Sequence, residues 1–255
     1  MNSNEYHLLK SHVSKSSLDV FRQSPYLYWW KYLSGKYKDD STKTFDFGKA
    51  AHGFVLEPNK WNEEFVISPT FKGEGSMKKR DNFKETHSDK TIISMSEYET
   101  LKEMRGVLEN DRTVRDLLFV SDKIVEQSYF WQNPETGIFC KCRPDQISKG
   151  IIGLDYKTTE DASTNGFPYH AKKYGYGRQA AIYSEGLLEN YIELDAFIFI
   201  AQEKKPPYLV NYFYATNNTL ANGREQFLQD LNDLKVCRET NTWPMFGNDI
   251  KPLDI

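Results

Sequence analysis

The constraint that bears hardest on this chain is a pair of short strings. Lys141-Cys142-Arg143-Pro144-Asp145 is followed, ten residues after its aspartate, by Asp155-Tyr156-Lys157. Residues 137–148 read as one strand and residues 151–158 as the next, with Lys149-Gly150 turning a hairpin between them. Side chains alternate faces along a strand, so Asp155 and Lys157 project to the same side. Asp145, near the end of the preceding strand, reaches that side if the hairpin register allows. Two carboxylates and an ammonium converging there form a site for a hard divalent cation. Oxygen ligands suit Mg²⁺, and a lysine beside it can orient water or neutralise developing negative charge. An isolated Asp-x-Lys string is common, and surface charge at a strand end is its ordinary meaning. The rest of the chain must supply the other parts of a site.

The length of 255 residues suits one domain, with an N-terminal helical elaboration over about residues 1–120 and a core over about residues 121–240. A net charge of -3 excludes a broadly basic nucleic-acid binder. A nucleic-acid partner would need a local basic groove and metal ions. The 16 Tyr, 16 Phe and 5 Trp are read mainly as core and interface. Three cysteines give neither a disulfide framework nor a four-ligand metal site. Cys140 and Cys142 alternate onto one strand face with Ile138 and read as small core residues. There is no apolar signal segment over residues 1–10 and no run of 18 apolar residues, so a soluble protein of the reducing cytoplasm, away from membranes, is expected.

In chain order, Ser16-Ser17 are expected to cap a short helix starting at Leu18, and Ser24-Pro25 to restart a helix running through Tyr26–Leu33 to Gly35. A helix apolar almost all round is buried more often than it stacks on DNA bases. Residues 44–57 form a helix ending at Pro58, with Phe47, Ala51, Phe54 and Val55 facing the core. His52 lies beside that stripe among Gly48, Ala51 and Gly53, small neighbours that let a ligand approach. Residues 65–68 read as a short strand. Residues 72–90 carry Lys78-Lys79-Arg80, either a solvated charge run or a contact for DNA phosphates. Ser96-x-x-Glu99 reads as a capping box for a helix with Leu101, Met104 and Leu108 on one stripe, continuing to about Leu118. Residues 124–132 are a strand paired with 137–148 across an Asn133-to-Gly137 turn. Glu126 on it is either an exposed charge or a third acid. A helix over about 171–190 carries Gln179 and Tyr183 at i and i+4, on one face. Strands over 192–202 and 208–216 and a helix over 218–239, buried through Leu220, Phe227, Leu231 and Leu234, complete the chain.

This order of helix, three antiparallel strands, helix and strand, with acids on the second and third strands, resembles the PD-(D/E)XK nucleases. Their core is α/β, a mixed central sheet flanked by helices. The motif stands here as Pro144-Asp145, nine residues, then Asp155-Tyr156-Lys157. Gln179-x-x-x-Tyr183 is similar to the helix motif of the RecB-type branch, and His52 to that branch's upstream histidine. The similarity is closer to the RecE-type exonucleases (the nuclease domain of exodeoxyribonuclease VIII). It is carried by Ser17-Leu18…Phe21…Ser24-Pro25, Phe47-Gly48-Lys49-Ala50-Ala51-His52…Leu56-Glu57-Pro58, Cys142-Arg143-Pro144-Asp145, Asp155-Tyr156-Lys157-Thr158-Thr159, and Tyr176…Gln179-Ala180-Ala181-x-Tyr183.

The resemblance implies a phage or prophage recombination exonuclease of the bacterial cytoplasm. It would digest one strand of linear duplex DNA from the 5′ end and expose 3′ single strands. Asp145 and Asp155 would hold Mg²⁺, or Mn²⁺ in its place, as two ions per site, with His52 completing or flanking the shell. Phosphodiester hydrolysis fits such a pair, since two metals about 4 Å apart stabilise both the attacking and leaving oxygens. Lys157 would position or help deprotonate the attacking water, and Gln179 and Tyr183 would brace the site or contact DNA. Glu126 matches, more loosely, an upstream acid of the lambda exonuclease branch. Arg143, Arg178, Lys78, Lys79 and Arg80 are the candidate DNA contacts. The implied partners are double-stranded DNA ends, further copies of the chain in a ring, as a tetramer, and a RecT-type single-strand annealing protein. Two readings of the same fold stay open, an endonuclease and a non-catalytic DNA-end-binding protein. An iron–sulfur nuclease would need four cysteines, and the chain has three.

Overall fold

A computed structural model describes residues 3–37 and 47–246. The N-terminal part is helical. A first helix that periodicity did not suggest, α1 (Ser3–Leu8), precedes α2 (Lys15–Gln23). The cap of α2 is Ser14 rather than Ser16. Ser14 and Ser17 exchange side-chain to backbone hydrogen bonds at 2.8 and 3.3 Å, which satisfies two otherwise orphaned N–H groups. Ser24 caps α3 (Pro25–Tyr28), which continues through π-helical turns over Trp29–Leu33. That aromatic stretch is buried on one side only, with Tyr28 in the core and Tyr26 and Leu33 exposed.

Next come α4 (Phe47–Leu56), α5 (Trp61–Glu64), β1 (Phe65–Ser68), α6 (Ser76–Thr86), β2 (Thr91–Ser94) and α7 (Met95–Asn110). Residues 44–46, where α4 was expected to start, lie outside the described residues. The box on α7 is Ser94 with Glu97, two residues before the expected pair, and Glu97 accepts the Ser94 N–H at 2.7 Å. Asp111 ends α7 and caps α8 (Arg112–Leu118), so the long apolar stripe is two helices rather than one.

The core follows as β3 (Lys123–Val125), β4 (Tyr129–Gln132), β5 (Phe139–Cys142), β6 (Gln146–Ser148), β7 (Ile152–Thr159), α9 (Gly166–Tyr174), α10 (Tyr176–Leu188), β8 (Ala196–Glu203), β9 (Val210–Tyr214) and α11 (Asn217–Thr240). The two long strands expected at 124–132 and 137–148 are each split in two. Their outer halves pair as β4 with β5, and their inner halves join a five-stranded sheet ordered β3-β6-β7-β8-β9. Only β7 and β8 run parallel within it. The helix expected over 171–190 is also divided, because Gly175 adopts φ 65 between α9 and α10. This left-handed conformation carries no steric penalty for glycine.

Alternation along the central strands puts helices on both faces of this mixed sheet. Leu154, Tyr156 and Ile200 pack with Ala51, Val55, Leu101 and Leu108 of α4 and α7. Phe197, Phe199 and Ala201 point the other way, onto Phe167 and Ala180 of α9 and α10. Each large apolar side chain so buried contributes about 1.5–3 kcal/mol. A third cluster joins Leu18 and Tyr28 to Trp131, Ile182, Phe227 and Leu231. Cys140 and Cys142 are buried there as small core residues, unpaired. Among the described residues no helix is long and apolar enough to cross a membrane.

Candidate active site

The site lies where the two split strands break. On one strand Glu126 follows β3 with φ 52, a left-handed conformation that costs a non-glycine residue about 1–2 kcal/mol. On the other, Arg143-Pro144-Asp145 separates β5 from β6, and Pro144 has no N–H to continue a ladder. The breaks are joined by the Glu126 N–H donating to the Asp145 carbonyl at 3.1 Å. They bring Glu126, Arg143 and Asp145 to one point, with Arg143 Nε donating to Glu126 Oε2 at 2.6 Å.

Asp145 Oδ2 accepts the Tyr156 backbone N–H at 2.7 Å and lies 2.8 Å from His52 Nε2. Thus β7 and α4 both hold this carboxylate. His52 Nδ1 is 3.5 Å from Glu126 Oε1. On β7, Asp155 is wholly buried, and its Oδ1 sits 2.5 Å from Lys157 Nζ, as strand alternation required. Its Oδ2 accepts a hydrogen bond from Gln179 Nε2 on α10. Tyr183, one turn further along α10, lines a cavity of about 350 Å³ with Asp145, Glu126 and Gln179. Tyr6 and His7 of α1 form another wall of that cavity.

Packing these charges together changes their proton affinities. Burial works against a charged imidazole at His52, but the neighbouring Asp145 carboxylate and its hydrogen bond, with Glu126 and Asp155, outweigh it and raise the pKa to about 9. Burial raises Asp155 to about 6, helped by the adjacent Asp145 charge and opposed by Lys157. Burial pushes Asp145 the same way, yet His52 and then Lys157 hold it below the usual carboxylate value. Glu126 is raised by burial and by Asp145. Lys157 is desolvated, but Asp155 and Asp145 raise its pKa above the ordinary lysine value. It therefore stands in this arrangement as a cation and proton donor.

The donor set suits a divalent metal. His52, Glu126 and Asp145 offer ligand atoms that all lie within 4.8 Å of one another. One imidazole nitrogen and two carboxylates match Mg²⁺ or Mn²⁺ chemistry. Asp155 was expected in this shell. Here Lys157 and Gln179 engage its two oxygens, and Glu126 stands in the cluster instead.

The expected DNA contacts do not gather in one place. Arg143 lines the cavity but is paired with Glu126. Arg178 is not a surface cation: it is 5% exposed and bridges Asp230, at 2.6 Å, and Asp19. Lys78, Lys79 and Arg80 lie on α6, which is solvated, and line none of the cavities formed by His52, Asp145 or Gln179. Tyr6 and His7 escaped sequence reasoning because six-residue α1 shows no usable periodicity.

A profile for the PDDEXK-like domain of unknown function, DUF3799, matches residues 14–251. The chain belongs to this PDDEXK-like family. The matched stretch contains the break, the Asp155-x-Lys157 strand and α10, so the geometry above is that of a PD-(D/E)XK core. A crystal structure from Eubacterium rectale, described as that of a "putative exonuclease", superposes with a TM-score of 0.64 at 16% identity, covering 100% of this chain and 96% of the other. At that identity it shows the shared fold. A second solved structure, SSO0001, gives a TM-score of 0.29 at 13% identity, over 90% of this chain and 86% of that one, and carries no argument. No curated protein matches the chain.

Proposed function

We propose that this PDDEXK-like protein is a divalent-metal-dependent exodeoxyribonuclease acting on the ends of linear duplex DNA. The observation that carries the reading is the convergence of His52, Asp145, Asp155, Lys157 and Gln179 from four separate elements into one cluster of ion pairs and hydrogen bonds. The RecE-type phrases in the sequence, and the exonuclease description of the E. rectale relative, favour an exonuclease over the other activities of the fold. Digestion from 5′ to 3′, two Mg²⁺ ions per site, a ring of four copies, a RecT-type partner and a role in phage recombination in the cytoplasm rest on the RecE resemblance.

A divalent cation held by His52, Glu126 and Asp145 would supply electrophilic stabilisation of the phosphate and make water more acidic. Lys157, held protonated by Asp155, donates to the attacking water or to the developing charge on phosphorus oxygens. Gln179 fixes Asp155, so that its remaining lone pairs face the ammonium rather than rotating away. Tyr183 is kept as a neutral hydroxyl, since burial raises its pKa well above the ordinary phenol, and it can donate to a phosphate in the cavity.

Digestion of linear duplex labelled separately at each 5′ and 3′ end, beside a closed circle, tests this. Early Mg²⁺-dependent release of 5′ label with the circle intact is the expected result. Nicking of the circle would make the protein an endonuclease, and failure to digest any substrate with Mg²⁺ or Mn²⁺ would leave a DNA-end-binding protein.

A further inference from the structure

The layer between the central sheet and helices α4 and α7 contains a buried amide. Alternation along β8 turns Ile198, Ile200 and Gln202 to that face, and the first two pack in the apolar cluster with Leu101 and Leu108 of α7. Gln202 is 0% exposed at a place where the stripe calls for a third apolar residue. A buried amide without partners is costly, and here both of its ends are matched. Its Oε1 accepts a hydrogen bond from the Tyr156 hydroxyl at 2.6 Å, and its Nε2 donates to the Met104 carbonyl of α7 at 2.8 Å. Tyr156 is likewise buried, on the same face of the neighbouring strand β7.

These two bonds belong to a closed ring of contacts that passes through the candidate active site. From Met104 the ring runs to the next residue of α7, Arg105, whose Nη1 donates to the Phe54 carbonyl of α4 at 2.8 Å. That carbonyl is among the last four of α4, which lack partners within the helix, and a guanidinium there also meets the negative end of the helix dipole. His52 stands two residues earlier on α4, and its Nε2 lies 2.8 Å from Asp145 Oδ2. The same oxygen accepts the Tyr156 backbone N–H at 2.7 Å, which closes the ring. Tyr156 thus carries both the phenol pinned by Gln202 and the N–H that holds the Asp145 carboxylate. Apolar packing is non-directional and lets a helix slide over a sheet, whereas buried hydrogen bonds fix one register. Breaking the ring at Gln202 releases α7 from the sheet beside Arg105, and so loosens α4 where it presents His52.

We propose that Gln202 is a positioning residue for this centre: through the Tyr156 hydroxyl and the Met104 carbonyl it sets the place of α4 over β7, and with it the meeting of the His52 imidazole with Asp145. The proposal rests on the nuclease reading for what the centre does, whereas the placement of His52 stands on the hydrogen bonds themselves. Gln202 touches neither substrate nor metal in this role and acts only through the residues it holds.

The test compares the full-length wild type with Gln202→Leu, Tyr156→Phe, the double variant, and Leu231→Ala, a truncation in the separate cluster around Trp131 and Phe227. Tyr156→Phe removes a single hydroxyl and keeps the test decisive if Gln202→Leu folds poorly. The first readout is the nitrogen–proton spectrum of the His52 ring in metal-free protein at one pH, assigned by its loss in His52→Ala. Gln202→Leu and Tyr156→Phe should displace the His52 signals and leave those of His87 on α6 in place. Leu231→Ala should lower the unfolding temperature without moving them. The second readout is Mn²⁺ affinity by titration calorimetry, expected to fall about tenfold in Gln202→Leu, the effect of losing a group that orients a metal ligand. The double variant should be no weaker than Gln202→Leu alone, because both changes break one ring. Wild-type His52 signals in Gln202→Leu and Tyr156→Phe overturn the proposal, and so does an equal displacement in Leu231→Ala, which would make the effect one of stability alone. If the wild type cleaves no DNA yet the ring signals move as expected, the positioning role stands and the nuclease reading falls.

Discussion

At the scale of single residues, the site is a set of charges that depend on one another. Asp155 is wholly buried and Lys157 partly buried, and each is the other's counterion at 2.5 Å. Asp155→Ala should abolish cleavage and also cost about 3–5 kcal/mol of stability, because it strands a desolvated ammonium. Asp155→Asn should abolish cleavage while costing less, since an amide oxygen still faces Lys157; urea unfolding of the two variants measures the difference. Equal stability in both would mean that Lys157 escapes to solvent. His52→Ala should weaken Mn²⁺ affinity by about 10–100-fold, the usual effect of removing a group that shapes a metal shell, and titration calorimetry reads it directly. The Asp155–Lys157 contact was legible from strand period alone. The contact between His52 and Asp145 was not, as no local rule links residues so far apart. Only the family resemblance pointed to it. Glu126 was ambiguous for the reason that now makes it interesting: nothing in Val125-Glu126-Gln127 announces a left-handed residue that interrupts a strand.

At the scale of elements, the sequence showed which segments are helices and strands better than where they break. The longer apolar stripes were found, but the short elements α1, α5 and β2 were not, and the start of α9 reads as loop. The pairs α7–α8 and α9–α10 were merged, because Asp111 and Gly175 interrupt periodicity without changing its phase enough to notice. The break at Gly175 matters most, since it aims the start of α10 and so places Gln179 against Asp155. Gly175→Ala should cost about 1–2 kcal/mol through its positive φ. The other end of that control is the crossing of α10 with α11. A methyl group at Gly223 would come within 2.5 Å of the Gly177 carbonyl and 2.9 Å of Ala181 Cβ. Backbone cannot yield as a flexible side chain would, so Gly223→Ala should force the helices apart and cost about 1–3 kcal/mol. Because α10 carries Gln179, the same variant should lose cleavage rate even at temperatures where it is fully folded. Wild-type rates below its unfolding transition would show that the crossing is structural only.

For the whole molecule, both described ends are secured against the rest of the fold, the N-terminal one beside the site. Near the C-terminus the Trp243 ring stacks on Tyr28 with centroids 6.3 Å apart, and the Tyr26 N–H donates to the Pro244 carbonyl. Near the N-terminus α1 is held by Lys141, a buried cation on β5. Its Nζ donates to the Tyr6 and Leu9 carbonyls at 2.5 and 2.7 Å and lies 4.4 Å from the Tyr6 ring centroid. Alternation with the core residues Cys140 and Cys142 turns Lys141 to the face that α1 covers. No carboxylate pairs with it among the described residues, and burial lowers its pKa from 10.5 to about 8. The sign of the consequence follows from linkage. Between about pH 8 and 10.5 the unfolded chain binds the Lys141 proton more tightly than the folded one, so folding becomes more favourable as pH rises through that window. Below pH 8 the full desolvation penalty is present. Lys141→Met removes this titration, and the comparison cancels the other lysines and tyrosines. Urea midpoints of wild type and Lys141→Met should therefore diverge in favour of wild type as pH is raised from about 7.5 to about 10. Parallel curves would mean that Lys141 keeps an ordinary pKa, and that α1, with the Tyr6 and His7 wall of the catalytic cavity, is held in place by packing alone.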